Sequence, residues 1–387
     1  MLELAQVVTQ IGEMGVEVSR RAERLANQMS VALGQARMSV EEWAAARAKI
    51  EAAGEPPWQI AAVGELPPST TFALPYAAPS EYSALATDGS HIPLDRHAIA
   101  PCYLLNVGEI ALHYGTGERP RLTSRATLHY KEEEIYASSA SGDAVPLSER
   151  MVANKRFLAE SAALATLVAE FHERAAVALV DDPLVVWTPP GESDEAQKRV
   201  IDEFCMMLEA GRQSATPVAG YVSRPGHRDV ISTLRMTLCP EGCPHGTGSP
   251  CRRISHLSDA RLFSELLPNA GERSQAFGSN APNLKLYPDE HRVFFFYLNV
   301  RTEIARIEIP RWVAEDQALL DMAHVLIYDQ AVKGQGYPVS LAEAHERAIV
   351  RGPERESFFR LVEQSFIRQN LPVLQTRKAI SKRTRLL

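Results

Sequence analysis

The sequence predicts an α/β fold, a mixed β-sheet flanked by helices, with an N-terminal helical extension. Three observations point there. Short apolar runs such as "VALV" (177–180), "VAGYVS" (218–223) and "RVFFFYLN" (292–299) have the length and composition of strands. Long helical patterns, 147–172 and 194–213 among them, separate these runs. Strands interleaved with helices, rather than grouped apart from them, build a sheet covered by helices. At 387 residues, 45% hydrophobic and 23% charged, the chain can bury the core such a fold needs.

Taken in order, residues 1–53 read as helix: no proline, and apolar positions at Leu4, Val7, Val8, Ile11 and Met14. Residues 54–80 hold six prolines, which no helix sustains, and read as an extended connector. The main domain is placed at 81–370. It opens with a short strand at Tyr82–Thr87, followed by "CYLLNVGEIALHYG" (102–115) and "PRLTSRATLHY" (120–130) as a meander. Helix 147–172, strand 177–180, helix 194–213 and strand 218–223 follow. "RVFFFYLN" and "EIARIEIP" (303–310) form a hairpin, and 314–329, 340–350 and 353–369 are helices. Residues 371–387 make a basic tail with Arg377, Lys378, Lys382, Arg383 and Arg385, suited to a DNA backbone or an acidic partner, or simply solvated.

The charge of −7 gives no sign of bulk attraction to nucleic acid, so any such contact needs local patches or bound cations. No apolar run reaches membrane-spanning length. Glu3, Glu13 and Glu17 near the start, without a basic region, are unlike a secretory signal. Five cysteines, three of them in one loop, argue against a disulfide framework, and a cytoplasmic location is expected.

Four polar residues sit where polar residues are costly. Asp88 closes the apolar run "EYSALAT" within "TDGSHIP"; it reads either as a hairpin turn or as a carboxylate at a strand end. Glu160 lies on the apolar stripe Phe157, Leu164, Leu167, Val168, Phe171, so it is either paired, for instance with an arginine, or a ligand. Asp181 ends "VALV", as a turn residue before Pro183 or as a ligand; Asp182 is the weaker of the two aspartates. His345 shares a helical face with Leu341, Ala344, Ala348 and Ile349, and is either a satisfied core histidine or a general acid/base. Together, three carboxylates can converge on Mg²⁺ or Mn²⁺, and paired ions about 4 Å apart clamp a phosphodiester.

"LATDGSHIP", Glu160, "VALVDDPL", "AGYVSRP" and "GYPVSLAEAHERAIV", in that order over most of 81–370, resemble the NurA nucleases. The resemblance implies an RNase H-like core and a Mn²⁺-dependent (or Mg²⁺-dependent) 5′→3′ DNA exonuclease with single-strand endonuclease activity. It implies two metal ions on Asp88, Glu160 and Asp181, with His345 as the fourth catalytic residue. It further implies a homodimer that processes DNA ends in double-strand break repair beside a HerA-type hexameric ATPase. One departure stands out: Asp181-Asp182-Pro183 replaces the family's Asp-Gly-Ser-like second motif. Gly89 is expected to let the chain leave its strand sharply, and Ser90 to hydrogen-bond the carboxylate or a phosphate. Ser90, Arg224 and Tyr337 are candidate DNA contacts. A haloacid dehalogenase-type phosphohydrolase would need an aspartate where Ser90 stands. The second reading of function is a non-catalytic RNase H-like adaptor for DNA or a pump ATPase.

The loop 239–251 brings Cys239, Cys243, His245 and Cys251 together in sequence. Four such ligands can enclose Zn²⁺ or, less readily, an iron–sulfur cluster. The spacing C-x₃-C-x-H-x₅-C departs from the C-x₂-C knuckle, so free thiols in a solvent loop are the first expectation and a metal the second.

Overall fold

The structure is a computed structural model and describes residues 4–54, 58–94, 100–138, 143–171, 174–187, 194–240 and 242–371. Along the chain run α1 (Ala5–Ala36), α2 (Val40–Ala52), β1 (Thr71–Phe72), β2 (Tyr82–Ile92), β3 (Tyr103–Tyr114) and β4 (Arg121–His129). Then come α3 (Glu132–Ile135), β5 (Tyr136–Ser138), β6 (Ala144–Pro146), α4 (Glu149–Glu170), β7 (Ala176–Val180), α5 (Asp194–Gln213) and β8 (Val218–Val222). The remainder comprises α6 (Asp229–Thr237), α7 (Asp259–Leu266), β9 (Arg273–Ser274), β10 (Phe277–Gly278), β11 (Val293–Asn299) and β12 (Ile304–Pro310). Four helices close the described chain: α8 (Arg311–Ala314), α9 (Gln317–Lys333), α10 (Val339–Ala348) and α11 (Gly352–Arg368). The basic tail residues named above lie outside the described residues.

The chain forms two compact units, each discontinuous in sequence. One comprises Met1–Ala78, Asp182–Trp187 and Ala219–Tyr337. Its strands run in the order β1-β9-β11-β12-β8, all antiparallel, with the β11–β12 hairpin in register from Val293↔Pro310 to Asn299↔Ile304. A capping box of Ser39 and Glu42 starts α2, satisfying two N–H groups the helix cannot. α2 then lays Trp43 into a core of Val230, Ile231, Leu234, Phe263, Phe277, Phe295 and Tyr297. Within this unit Arg306, 1% exposed, lies 3.6 Å over the Phe295 ring and is bonded to Glu308 (2.8 Å) and Asp229 (3.1 Å). A buried cation is tolerable only when paired in this way.

The other unit comprises Pro79–Asp181, Thr188–Val218 and Pro338–Leu387. Its strands run β7-β2-β3-β4: β2 pairs antiparallel with β3 and parallel with β7, so the sheet is mixed. Direct β2–β7 parallel pairing needs a crossover, supplied here by β3, β4 and α4. The two faces of β2 are covered differently. Thr87 bonds Glu160 of α4, whereas Ser90 and its cross-strand partner Asn106 bond the carbonyl of Ala348 at the end of α10. Side chains alternate along a strand, so Thr87 and Gly89 face α4, and Asp88 and Ser90 face α10.

The strand expected at Tyr82–Thr87 continues to Ile92, through Asp88, Gly89 and Ser90. These residues stay extended because β3 pairs with them without a break, Asp88↔Gly108, Gly89↔Val107 and Ser90↔Asn106. Asp-Gly here is neither a turn nor a strand end, and Gly89 does not turn the chain.

Candidate active site

Glu160 is carried inward by α4. Ser148 caps this helix by accepting from Met151 N–H, which fixes its start. Leu164, Leu167 and Val168 bury the face on which Glu160, 8% exposed, also lies. A buried carboxylate requires a partner, and Arg156, one turn earlier, donates through Nη1 to Glu160 Oε1 at 2.5 Å. The same nitrogen donates to the Gly89 carbonyl at 2.7 Å and lies 3.9 Å from Asp88 Oδ1. One guanidinium nitrogen thus bonds Glu160 and lies near Asp88, two of the three predicted acids. The paired reading of Glu160 is what the geometry displays, and the same cation sits beside Asp88.

Gly89 makes room for this arrangement. A Cβ built there would lie 2.2 Å from Glu160 Oε1 and 3.0 Å from Arg156 Cγ, so the missing side chain is the space the glutamate occupies. On the opposite face, a Cβ at Gly108 would meet the backbone of α10 at Ala344 O (2.6 Å) and Ala348 N (3.0 Å). Two glycines at neighbouring register positions therefore let a helix approach each face of the same strand pair.

That approach brings His345 to Asp88. Leu341, Ala344 and Ala348 bury one face of α10 against the sheet, and His345 Nδ1 lies 2.9 Å from Asp88 Oδ2. The His345 side chain is 59% exposed and that of Asp88 17%. His345 is therefore a rim residue rather than an inward one: it shares the helix with the buried face but projects past its edge. The other oxygen, Asp88 Oδ1, accepts from the Gly89 N–H at 2.7 Å. Ser90 differs from expectation, since its hydroxyl donates to the Ala348 carbonyl at 2.5 Å and helps seat α10 rather than contacting a carboxylate.

Asp181 comes from the strand next door. β7 pairs with β2 up to Val180↔Thr87, and Asp181 is the next residue, exposed and at the level of Asp88. The sheet register puts Asp181, one residue past the end of β7, at the level of Asp88 within β2, and Glu160 arrives from α4; among the described residues the three carboxylates do not all lie within 4.8 Å of one another. Burial holds His91, further along β2, below its usual imidazole range, and the Arg156 charge adds to the effect.

The remaining predicted residues lie in the other unit. Tyr337 packs edge-on against Tyr221, with ring centres 5.4 Å apart. Arg224 has a left-handed backbone (φ 45°), and its N–H donates to Glu303 at 3.0 Å. Cys239, Cys243, His245 and Cys251 converge, with one ligand atom from each lying within 4.8 Å of the others. Cys239 and Cys251 are buried, which departs from the expectation of thiols in a solvent loop. Arg156 is the site residue that sequence reasoning missed; its signal was the four-residue spacing to Glu160 on a helix.

Residues 82–350 match the model of the NurA domain family. Among solved structures, the chain is similar to the NurA nuclease from Sulfolobus solfataricus at 12% identity, over 94% of this chain and 98% of that one, with a TM-score of 0.50. It is also similar to a NurA bound to dAMP and manganese (12% identity, 80% and 92% of the two chains, TM-score 0.38). A third similar structure is the catalytic domain of human Endonuclease V (11%, 83% and 96%, TM-score 0.32). At these identities the likeness concerns the fold. No curated protein sequence matches the chain.

Proposed function

The chain belongs to the NurA domain family, and from that premise we propose that it is a divalent-metal-dependent DNA nuclease whose centre is built on Asp88, Glu160 and Asp181. The observation that carries the reading is the pair of acids on Arg156: Asp88 and Glu160 approach one guanidinium nitrogen from two different elements, and Asp181 ends the adjacent strand. Three hard oxygen donors are the chemistry that suits Mn²⁺ or Mg²⁺, and the room left by Gly89 is what admits one of them, the Glu160 carboxylate. Such ions, two in this reading, activate water and neutralise charge on a phosphodiester when bound.

The chain's own groups have definable parts. The Gly89 N–H and His345 Nδ1 take the two oxygens of Asp88 and fix the plane of its carboxylate. Arg156 pairs with the buried Glu160 and supplies positive charge where an anionic backbone would lie. His345, tied to Asp88 at one nitrogen and largely open to solvent, is suited to give a proton to the departing oxygen. Burying Glu160 and leaving Asp181 exposed gives the cluster one closed and one accessible side.

The finer reading follows the family: 5′→3′ cleavage of DNA ends, incision of single strands, and work as a homodimer with a HerA-type ATPase in end processing, in the cytoplasm. The test is cleavage of a 5′-labelled single-stranded oligonucleotide by the purified chain with Mn²⁺, with EDTA, and as Asp88→Ala. Metal-dependent cleavage lost in the variant is expected. Retained cleavage in a folded Asp88→Ala protein would sink the assignment. Absence of cleavage by the wild-type chain, even with the ATPase present, would favour the adaptor reading.

A further inference from the structure

We propose that Cys239, Cys243, His245 and Cys251 form a closed structural Zn²⁺ site, independent of the acidic centre. The distances carry the inference. Zn–S bonds of about 2.3 Å and Zn–N bonds of about 2.0–2.1 Å, arranged tetrahedrally, place sulfurs about 3.8 Å apart and a sulfur about 3.6 Å from a nitrogen. Here Cys243 Sγ and Cys251 Sγ are 3.9 Å apart, and His245 Nδ1 lies 3.5 Å from both Cys239 Sγ and Cys251 Sγ. Cys243 and Cys251 stand far beyond disulfide length, and all three thiols are free. Three soft sulfurs and one imidazole suit zinc; an iron–sulfur cluster ordinarily takes four thiolates.

The chain bends into left-handed backbone to make this cluster. Gly242 (φ 66°) and Gly248 (φ 88°) take that conformation freely, whereas His245 (φ 54°) takes it with a side chain, a less common state. The outcome returns the His245 ring onto two cysteines from opposite ends of the loop. The irregular spacing that argued against a zinc knuckle is thus the spacing this particular loop path requires.

The surroundings complete the site. The His245 ring packs edge-on against Trp58, 4.9 Å between centres, and the Arg235 guanidinium lies 3.6 Å above the same indole. Arg235 Nε donates to the Cys251 carbonyl at 2.9 Å, and among the described residues no carboxylate is paired with this 7%-exposed cation. Three thiolates around one Zn²⁺ leave a net charge of −1, which a buried arginine alongside would balance. Ile50, Ile60 and Met236 close the apolar side. With all four positions filled by protein, the ion would pin the end of α6 and the Cys251 turn to the Trp58 segment and offer no open position for catalysis.

The test uses the full-length chain purified under reducing conditions without added zinc. Elemental analysis is expected to find about one zinc per chain, retained in Asp88→Asn and lost in Cys243→Ser. Cobalt substitution should give thiolate-to-cobalt charge-transfer absorbance in wild type. As Cys243 is only partly buried, its serine variant is expected to fold with a lower Tm that zinc no longer raises. If Cys243→Ser does not fold, the cobalt spectrum of wild type decides alone. A wild-type chain that takes up neither zinc nor cobalt, or that holds iron with visible absorbance, would overturn the proposal, as would unchanged zinc in a folded Cys243→Ser. Loss of cleavage in Asp88→Asn with zinc intact keeps this outcome separate from the nuclease reading.

Discussion

Gly89→Ala isolates the acidic centre from the fold. The backbone at Gly89 is ordinary strand, so alanine carries no conformational penalty there. Its Cβ would lie 2.2 Å from Glu160 Oε1, where ordinary contact begins near 3.4 Å. The carboxylate must retreat by roughly 1 Å, taking Arg156 with it, and a displacement of about 1 Å in a catalytic constellation can cost about 100-fold in rate. That is about 2.7 kcal/mol of activation free energy. The stability cost should stay near ~1 kcal/mol, because what yields is the end of a flexible side chain. Gly108→Ala is the contrast: its Cβ meets α10 backbone at 2.6 Å, so the helix must shift, at about 1–3 kcal/mol of stability. Initial rates on a labelled oligonucleotide at saturating Mn²⁺, with urea unfolding of each variant, measure both quantities. A Gly89→Ala protein with wild-type stability and cleavage within about threefold of wild type would refute the reasoning.

Other consequences can be measured alongside. His345→Ala should lower kcat by about 10²-fold. Its stability should change by no more than about 0.5 kcal/mol, given the exposure of the ring, and an unchanged kcat would count against a proton-transfer role. Arg156→Gln leaves a buried glutamate without its cation, at about 1–3 kcal/mol. Mn²⁺ should then raise the Tm of this variant more than that of wild type, and equal shifts would contradict a shared charge site. His324 is fully buried, its ring bonded to the Gly271 carbonyl at 2.7 Å. Burial pushes its pKa down to about 4, and the nearby Arg273 adds to the effect. The unfolded chain then binds the extra proton between about pH 6.5 and 4, so stability is full above that window and falls through it, by up to about 3 kcal/mol. Urea unfolding across that range should show a flatter profile for His324→Gln, and parallel profiles would remove the claim.

Much of the architecture was legible because it is written in local pattern. Helix 194–213 was readable from its apolar periodicity, and the hairpin of 292–299 and 303–310 from its apolar runs, since its strands are buried on both faces. The division into two interleaved units was not legible, because segments such as Asp182–Trp187 carry no local mark of the unit they join. Asp88 read as a strand end because Asp-Gly is a turn signal; the non-local pairing with β3 overrides it. Glycines 89 and 108 gave no sign of their role, since what they admit is side chains and backbone from helices distant in sequence. His345 was found by helical periodicity but placed on the wrong side of the rim, where a few tens of degrees separate a buried face from an exposed one. The cysteine cluster was visible as composition, whereas its convergence depends on three left-handed residues that no spacing rule anticipates.

The most direct measurement is a crystal of the chain grown with Mn²⁺ and a nucleotide, with anomalous differences collected at the manganese edge. The account predicts a peak enclosed by Asp88, Glu160 and Asp181, absent from Asp88→Asn crystals prepared identically. Ordered manganese found only elsewhere, with Arg156 still seated between Asp88 and Glu160, would contradict it.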